Sequence, residues 1–291
     1  MKVVYFVTLF AAFFLLKGIT ANRVNADPYT VDRSTEYLLF SYSAYCRMHA
    51  DIADWSCYWC ANPDATPLQV INFFEDTRTN TFGYLGVTST EIIIAFRGTE
   101  PASLTNWITD LKFAKTTPYK NMPDIKVHEG FYDAYQTVES QVRAAVANVT
   151  YYHPNLPLVI TGHSLGAALS TLCGADLMIE FPQLSITVWN FGNPRVGNDG
   201  WSAYYASLPI RTTWRVINQR DIVPTVPYEW MGFYHEPTEV WYPKDHTTYK
   251  ICNDSGEDPT CQDSLEVTFN VPDHLTYLGY DIAVGELYLC P

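Results

Sequence analysis

The chain predicts an α/β fold: one domain with a mainly parallel central sheet covered by helices on both faces. Three observations carry this. Strand-like apolar runs alternate with stretches of helical period. The run Ile92-Ile93-Ile94-Ala95-Phe96 is continuously apolar, as a strand buried on both faces requires. No linker, low-complexity tract or internal repeat divides the 291 residues.

The elements follow in order. Lys2 precedes an apolar run from Val3 to Leu16, and small residues suited to cleavage follow at Ile19-Thr20-Ala21, with Val24-Asn25-Ala26 as a second option. A membrane span takes roughly 20 apolar residues, so this run is short for an anchor. The expectation is a secretory leader over residues 1–21, an extracellular protein, a single folded domain over 22–291, and no transmembrane segment. Glu36 to Cys46 carries apolar residues at helical spacing, which predicts a first helix from about Asp32. Leu68 to Phe74, Thr81 to Val87 and Glu91 to Phe96 read as strands. Phe131, Ala134, Val138, Val142 and Val146 share one stripe of a helix over Gly130 to Tyr152, which Pro154 and Pro157 break. Leu158 to Ile160 is a strand running into Gly162, and Ala167 to Ile179 a helix. Ser185 to Phe191 is a strand followed by the turn-rich Gly192 to Gly197. A helix around Trp201 to Ser207 leads to a strand over Thr213 to Ile217.

With 47% hydrophobic and 15% aromatic residues, the chain can bury a sizeable core. A net charge of −13 excludes a nucleic-acid partner, because phosphate binding needs clustered Lys and Arg. It also gives no attraction to anionic membranes, so any lipid contact is mainly hydrophobic. Seven cysteines in an oxidising compartment predict disulfides and leave at least one thiol free. Cys57-Tyr58-Trp59-Cys60 has redox or zinc spacing, but no second pair and no βαβ unit accompany it, so a small structural loop is expected. Cys252 and Cys261 bracket a polar segment and would close a short loop, while Cys46 and Cys290 stand near the two ends and could tie them together. Cys173, inside an apolar helical pattern, is expected to be the buried free thiol. Asn148-Val149-Thr150 and Asn253-Asp254-Ser255 are glycosylation sequons.

The chemistry centres on Gly162-His163-Ser164-Leu165-Gly166. A G-x-S-x-G motif alone is modest evidence, but this one joins an apolar strand to an apolar helix, the context of a nucleophile elbow. Its glycines are needed because a Cβ there would collide with neighbouring backbone. A serine hydroxyl needs a base, and the base a carboxylate that holds its tautomer. In an α/β-hydrolase fold the order is Ser, acid, His, which sets aside His49, His128, His153 and His163. His235 lies in a predicted hairpin, Gly232 to His235, and His246 in a polar, exposed-looking stretch. His274, in Val271-Pro272-Asp273-His274 after a polar loop, is the expected base. Asp221, just after a strand, is the expected acid, since Asp245 and Asp263 fall in turns that read as solvated. The oxyanion needs preorganised donors. The backbone N–H of Leu165 at a helix N-terminus is one, and Thr99, in Phe96-Arg97-Gly98-Thr99 after an earlier strand, is the other.

Pro101 to Leu111 follows that loop. Leu104, Trp107, Ile108 and Leu111 fall at i, i+3, i+4 and i+7, with Ser103 as expected N-cap. An ordinary surface helix would show this stripe. So would a lid that covers a site in water and turns its apolar face to lipid, and the position beside the oxyanion donor favours the lid.

Phe96-Arg97-Gly98-Thr99, His128-Glu129-Gly130-Phe131, Gly162 to Gly166, Gly192-Asn193-Pro194-Arg195-Val196-Gly197-Asn198, Asp221-Ile222-Val223-Pro224 and Asp273-His274 together resemble the fungal-type class 3 lipases. That family also holds feruloyl esterases and phospholipases A1. The resemblance implies an α/β-hydrolase fold with a short helical lid, a triad of Ser164, Asp221 and His274, and an oxyanion hole at Thr99 and Leu165. It also implies a Cys46–Cys290 bridge, and a Cys252–Cys261 loop like that of the feruloyl esterases. The implied protein is a monomer that takes an acylglycerol or other ester as substrate, meets lipid through the lid, and uses no cofactor and no metal. The apolar lid stripe with Trp107 favours a lipase, whereas a feruloyl esterase lid is typically more polar. A non-catalytic binding module is the remaining alternative, against which the intact Ser164, Asp221 and His274 speak.

Overall fold

Alternation along the central strands sets the architecture of the protein, which the computed structural model describes over residues 27–265 and 270–284. The predicted leader at 1–21 and Cys290 lie outside the described residues. In the strand Ile92–Phe96, Ile92, Ile94 and Phe96 join one core, while Ile93 and Ala95 join a second core on the opposite face. A sheet buried on both faces needs helices on both sides. Eight strands pair in chain order: β1 (Gln69–Asp76), β2 (Thr81–Val87), β3 (Ile92–Phe96), β4 (Leu158–His163), β5 (Ile186–Phe191), β6 (Thr212–Asn218), β7 (Glu239–Tyr242) and β8 (Lys250–Ile251). β1 to β3 are antiparallel, β3 to β7 parallel, and β8 returns antiparallel at the edge.

Helices that accompany the sheet among the described residues are α1 (Val31–Ser43), α2 (His49–Ala53), α3 (Pro101–Asp110), α4 (Glu129–Tyr152), α5 (Leu165–Glu180), α6 (Asp199–Ser207) and α7 (Val271–Leu275). Phe131, Val138, Val142 and Val146 of α4 pack with Leu169, Leu172 and Leu177 of α5 and Trp201 of α6 in the first core. Tyr37 to Phe40 of α1 fill the second, with Trp189 and Trp214. Side-chain caps fix several helix starts: Thr30 accepts from Arg33 N at 3.3 Å, His128 from Phe131 N at 3.3 Å, and Asn198 from Trp201 N at 3.0 Å.

Every predicted helix and strand is present, most with shifted ends. The first helix stops at Ser43 rather than Cys46, and α5 begins two residues before Ala167. The predicted hairpin at Gly232 to His235 is absent: Gly232 closes a short 3₁₀ turn over Glu229–Met231, and His235 is buried with Nε2 at 2.8 Å from the Pro224 carbonyl. Cys57–Cys60 and Cys252–Cys261 are disulfides, Cys46 is disulfide-bonded, and Cys173 is a free buried thiol. Asn148 lies exposed on α4 and Asn253 exposed in a loop.

The parallel strands bring their C-terminal ends to one edge, where active-site loops of such sheets collect. The turn from β4 into α5 is the tightest of these. A Cβ at Gly162 would lie 2.2 Å from the Gly166 carbonyl oxygen, and one at Gly166 would lie 2.2 Å from that of Phe96. The obstacles are backbone, which cannot move aside as a flexible side chain can. Gly166→Ala is therefore expected to cost about 3 kcal/mol, by the scale of overpacking. In thermal unfolding this reads as a Tm lowered by roughly 10 °C.

Candidate active site

Ser164 joins β4 to α5 with φ 60° and ψ −129°, a conformation unfavourable for a residue with a side chain. The bend lifts its hydroxyl off the strand end and leaves the N–H of Leu165 at the start of α5. The first N–H groups of a helix have no partner within it, and the helix dipole adds positive character there. Thr99 follows Gly98 in the loop after β3, and a Cβ on Gly98 would be 2.9 Å from Ser164 Cβ. The loop carrying Thr99 is thus in contact with the Ser164 bend.

Asp221 lies just beyond β6 and is fully buried. Its Oδ1 accepts from Val223 N at 2.8 Å. Its Oδ2 is 2.7 Å from His274 Nδ1 and also accepts from the Tyr277 hydroxyl. Gln262, beside the Cys252–Cys261 bridge, donates to the Asp221 carbonyl at 2.7 Å. His274, on α7, is also fully buried. Asn218 grips the chain on either side of it, donating to the carbonyls of Asp273 at 3.0 Å and Thr276 at 2.7 Å. A hydrogen bond to a carboxylate is made by protonated Nδ1, which leaves the Nε2 lone pair free to take a proton.

Ser164 Oγ and His274 Nε2 are both buried and make no hydrogen bond in this state. The His–Asp half of the arrangement is closed and the Ser–His half is open. Such contacts often tighten only with substrate present.

Four residues whose part in the site sequence reasoning missed complete the surroundings: His163, Tyr45, Tyr277 and Gly192. His163 stacks on His274, with ring centres 4.4 Å apart, and its Nε2 lies 2.8 Å from the His274 carbonyl. A carbonyl can only accept, so Nε2 carries the proton and Nδ1 accepts from the Tyr45 hydroxyl at 2.8 Å. Burial holds His163 well below the usual histidine range, and it stays neutral. At Gly192 a Cβ would lie 2.7 Å from His274 Cε1 and 2.9 Å from Asp221 Oδ2, so this position admits no side chain. No short-range sequence pattern marks His163, Tyr45 or Tyr277, because their partners are set by the fold. Gly192 showed only as a turn residue.

Helix α3 presents its apolar stripe to the protein. Leu104 is buried against Ile222 and Val223, beside Asp221, and Trp107 stacks on Phe131 with ring centres 6.2 Å apart. Ile108 and Leu111 are half-buried. The predicted N-cap at Ser103 is corrected to Glu100: Pro101 starts the helix, its fixed φ suiting the first helical position. Trp107, Leu111, His128, Phe131 and Leu165 line a cavity of about 510 Å³ reaching the Ser164 bend. Burial takes His128 down to about 4, so it is a neutral wall of that cavity.

Behind the Asp221 loop lies a buried ionic network. Arg195, from the Gly192–Asn198 turn, pairs with Glu257 at 2.8 and 2.7 Å and donates to the Thr225 carbonyl at 2.9 Å. Asp263 is exposed, as expected, and its carboxylate faces Arg195 at 3.5 Å. Asp245 is exposed and caps its own turn, while His246 is half-buried. Arg215 donates to the carbonyls of Glu236 at 2.5 Å and Gly256 at 2.8 Å. Among the described residues, two groups bring three ligating atoms within 4.8 Å: Glu239 with Cys252 and Cys261, and Glu229 with Glu257 and Asp263. The sulfurs of the first are joined in a disulfide, and Arg195 occupies two carboxylates of the second.

A strained serine on a strand-to-helix bend, with a buried His–Asp pair at the same sheet edge, defines a serine hydrolase of the α/β-hydrolase class. Comparison with known proteins narrows the class. The model of the family "Lipase (class 3)" matches residues 93–231. The Rhizomucor miehei lipase is 34% identical over 258 residues, covering 86% of this chain and 69% of that protein. A solved lipase from Rhizopus microsporus var. chinensis superposes with TM-score 0.80 at 32% identity, covering 90% of this chain and 89% of its own. The solved Rhizomucor miehei triacylglyceride lipase gives TM-score 0.81 at 32% identity, covering 88% and 96%. The chain belongs to the class 3 lipase family and is a carboxylic ester hydrolase.

The ionic network has a measurable signature. Burial raises the Glu236 carboxyl from 4.5 to about 7. The folded protein therefore holds this proton more tightly than the unfolded chain, so the stability it contributes is full below pH 4.5 and lost as pH rises through 7. Asp263, also raised to about 7 by burial and by Glu257, acts in the same sense. Relative to Glu236→Gln, whose amide imitates the protonated acid, the wild-type Tm is expected to fall between pH 5 and pH 8; parallel calorimetric profiles for the two proteins would contradict this.

Proposed function

We propose that this chain is an exported, monomeric triacylglycerol lipase that works at lipid–water interfaces with Ser164 as nucleophile, His274 as base and Asp221 as the acid that orients it. The observation that carries this is the fully buried His274–Asp221 pair at the sheet edge of the strained Ser164, under a helix whose apolar stripe faces inward. The Rhizomucor miehei neighbour, a triacylglyceride lipase, supports the substrate class. Export accords with the leader-like N-terminus and the disulfides.

In water α3 covers the site, and at a lipid surface it swings out, presenting Leu104, Trp107, Ile108 and Leu111 to the lipid. An ester then enters, and the His274 Nε2 lone pair takes the Ser164 proton as Oγ attacks the carbonyl carbon. The oxyanion so formed is held by the N–H of Leu165 and by the N–H and hydroxyl of Thr99. His274 returns the proton to the departing alcohol, leaving an acyl-enzyme on Ser164. Water, deprotonated by His274, attacks that acyl group and releases the fatty acid and the free serine. Asp221 stabilises the imidazolium in both halves, and Tyr277 and the Val223 N–H hold its carboxylate. Each step so written draws on the chain's own side chains and backbone N–H groups.

Ser164→Ala is expected to lower kcat on emulsified tributyrin by about 10⁶-fold, the scale seen when a triad serine is lost, with little change in Tm. Tyr277→Phe should reduce kcat about tenfold at unchanged KM, since it removes one charge-assisted bond and touches no substrate. The wild type should hydrolyse tributyrin much faster above its solubility limit than below it. Activity confined to methyl ferulate or to a phospholipid, with none on emulsified glyceride, would overturn the lipase reading.

A further inference from the structure

Of the protein's eight tryptophans, one stands in the open: Trp230 is 78% exposed. It sits on the 3₁₀ turn Glu229–Met231, nine residues beyond Asp221 in the segment whose Ile222 and Val223 receive Leu104 of α3. The turn is braced from several sides. Met231 N and Gly232 N close it on Tyr228 and Glu229 at 3.0 and 2.7 Å, and the Tyr228 ring stacks on Trp230 at 5.9 Å. Buried Arg195 donates to the Pro227 carbonyl at 3.2 Å. From the other side, Lys115 donates to the Met231 carbonyl at 2.6 Å and lies 4.1 Å over the Phe233 ring. Lys115 follows α3 closely in the chain, and Phe113, between them, is 37% exposed. Trp230 is therefore held outward on a platform tied to the chain that leaves α3.

No contact within the fold requires an indole there, and its exposure leaves a large apolar surface in water. Indole favours the boundary of an apolar phase, where its body is dry and its N–H wet. We propose that Trp230 is a fixed lipid anchor: it inserts into an uncharged acylglycerol surface and holds the enzyme there, with α3 facing that surface, whether or not α3 has moved. This rests on the lipase reading above. The net charge of −13 commits the partner to a neutral surface, because anionic headgroups would repel the protein.

The test uses the full chain carrying Ser164→Ala, so that the lipid is not consumed, with and without Trp230→Ala, floated with phosphatidylcholine-coated triolein emulsion. Trp230→Ala is expected to lower the partition coefficient about tenfold, the scale of withdrawing one large aromatic group from contact with lipid. Trp230→Phe should restore most of it, and matching Tm values show that the variants fold. Blue-shifted indole emission on adding emulsion should be present in the parent and reduced in Trp230→Phe. Partition unchanged by Trp230→Ala would overturn the anchor, as would preferred binding to phosphatidylglycerol vesicles. A parent that is dimeric by sedimentation and becomes monomeric in Trp230→Ala would overturn it in favour of a second copy as the occupant. Hydrolysis is measured separately on the unmutated chain: failure on emulsified tributyrin with the partition effect intact would count against the lipase reading and leave the anchor standing.

Discussion

The contact on which the rest of the site depends is backbone against backbone, where the chain turns from β4 into α5. Gly162, Gly166 and the end of β3 approach so closely that even a methyl group has no room. That closeness drives Ser164 into its unfavourable dihedrals and sets the first N–H of α5 beside the loop carrying Thr99. Strain of this kind costs on the order of 1–3 kcal/mol and persists only when the surroundings over-determine it. Here a parallel sheet with a core on each face does so: β4 pairs with β5 along its whole length and with β3 from Leu158 to Gly162, and α5 is buried along most of its own length.

Around that bend, polar groups are buried but tied. Asp221 takes three donors on its carboxylate, from Val223, His274 and Tyr277. His274 is held by a stacked neutral neighbour and by Asn218 acting on the backbone to either side. A buried carboxylate costs several kcal/mol unless paired and hydrogen-bonded, which explains why these donors converge on one carboxylate. Ser164 Oγ and His274 Nε2 are among the buried atoms that make no hydrogen bond, and the proposed chemistry has a use for both.

Much of this could be read from the chain, for physical reasons that differ by element. Alternation in β3 and the stripe of α4 are local consequences of burial and survive in the sequence. The G-x-S-x-G bend was legible because sterics demand glycine at fixed spacing. Asp221 and His274 needed chain order in addition to local pattern. The edge strands β7 and β8 were not seen, since β8 is two exposed residues with no alternation to detect. The hairpin expected at Gly232 was a turn of another kind, because Gly232 supplies a left-handed φ that serves either. The expectation at Ser103 failed because Pro101 starts a helix without a side-chain cap. His163, Tyr45 and Tyr277 were invisible for the most general reason: what they touch is over a hundred residues away in two of the cases.

The bond from Tyr45 to His163 carries an implication for dissecting the molecule. Tyr45 lies shortly after α1, His274 and Tyr277 lie close to the far end of the described chain, and all converge behind one serine. A fragment over 93–231, the stretch that matches the family model, would keep the proposed nucleophile and acid yet lose His274, the proposed base, together with Tyr45 and one wall of the second core. Truncation from either side would strike the proposed reaction centre directly, and on that proposal no minimal catalytic unit can be excised from the middle of this protein.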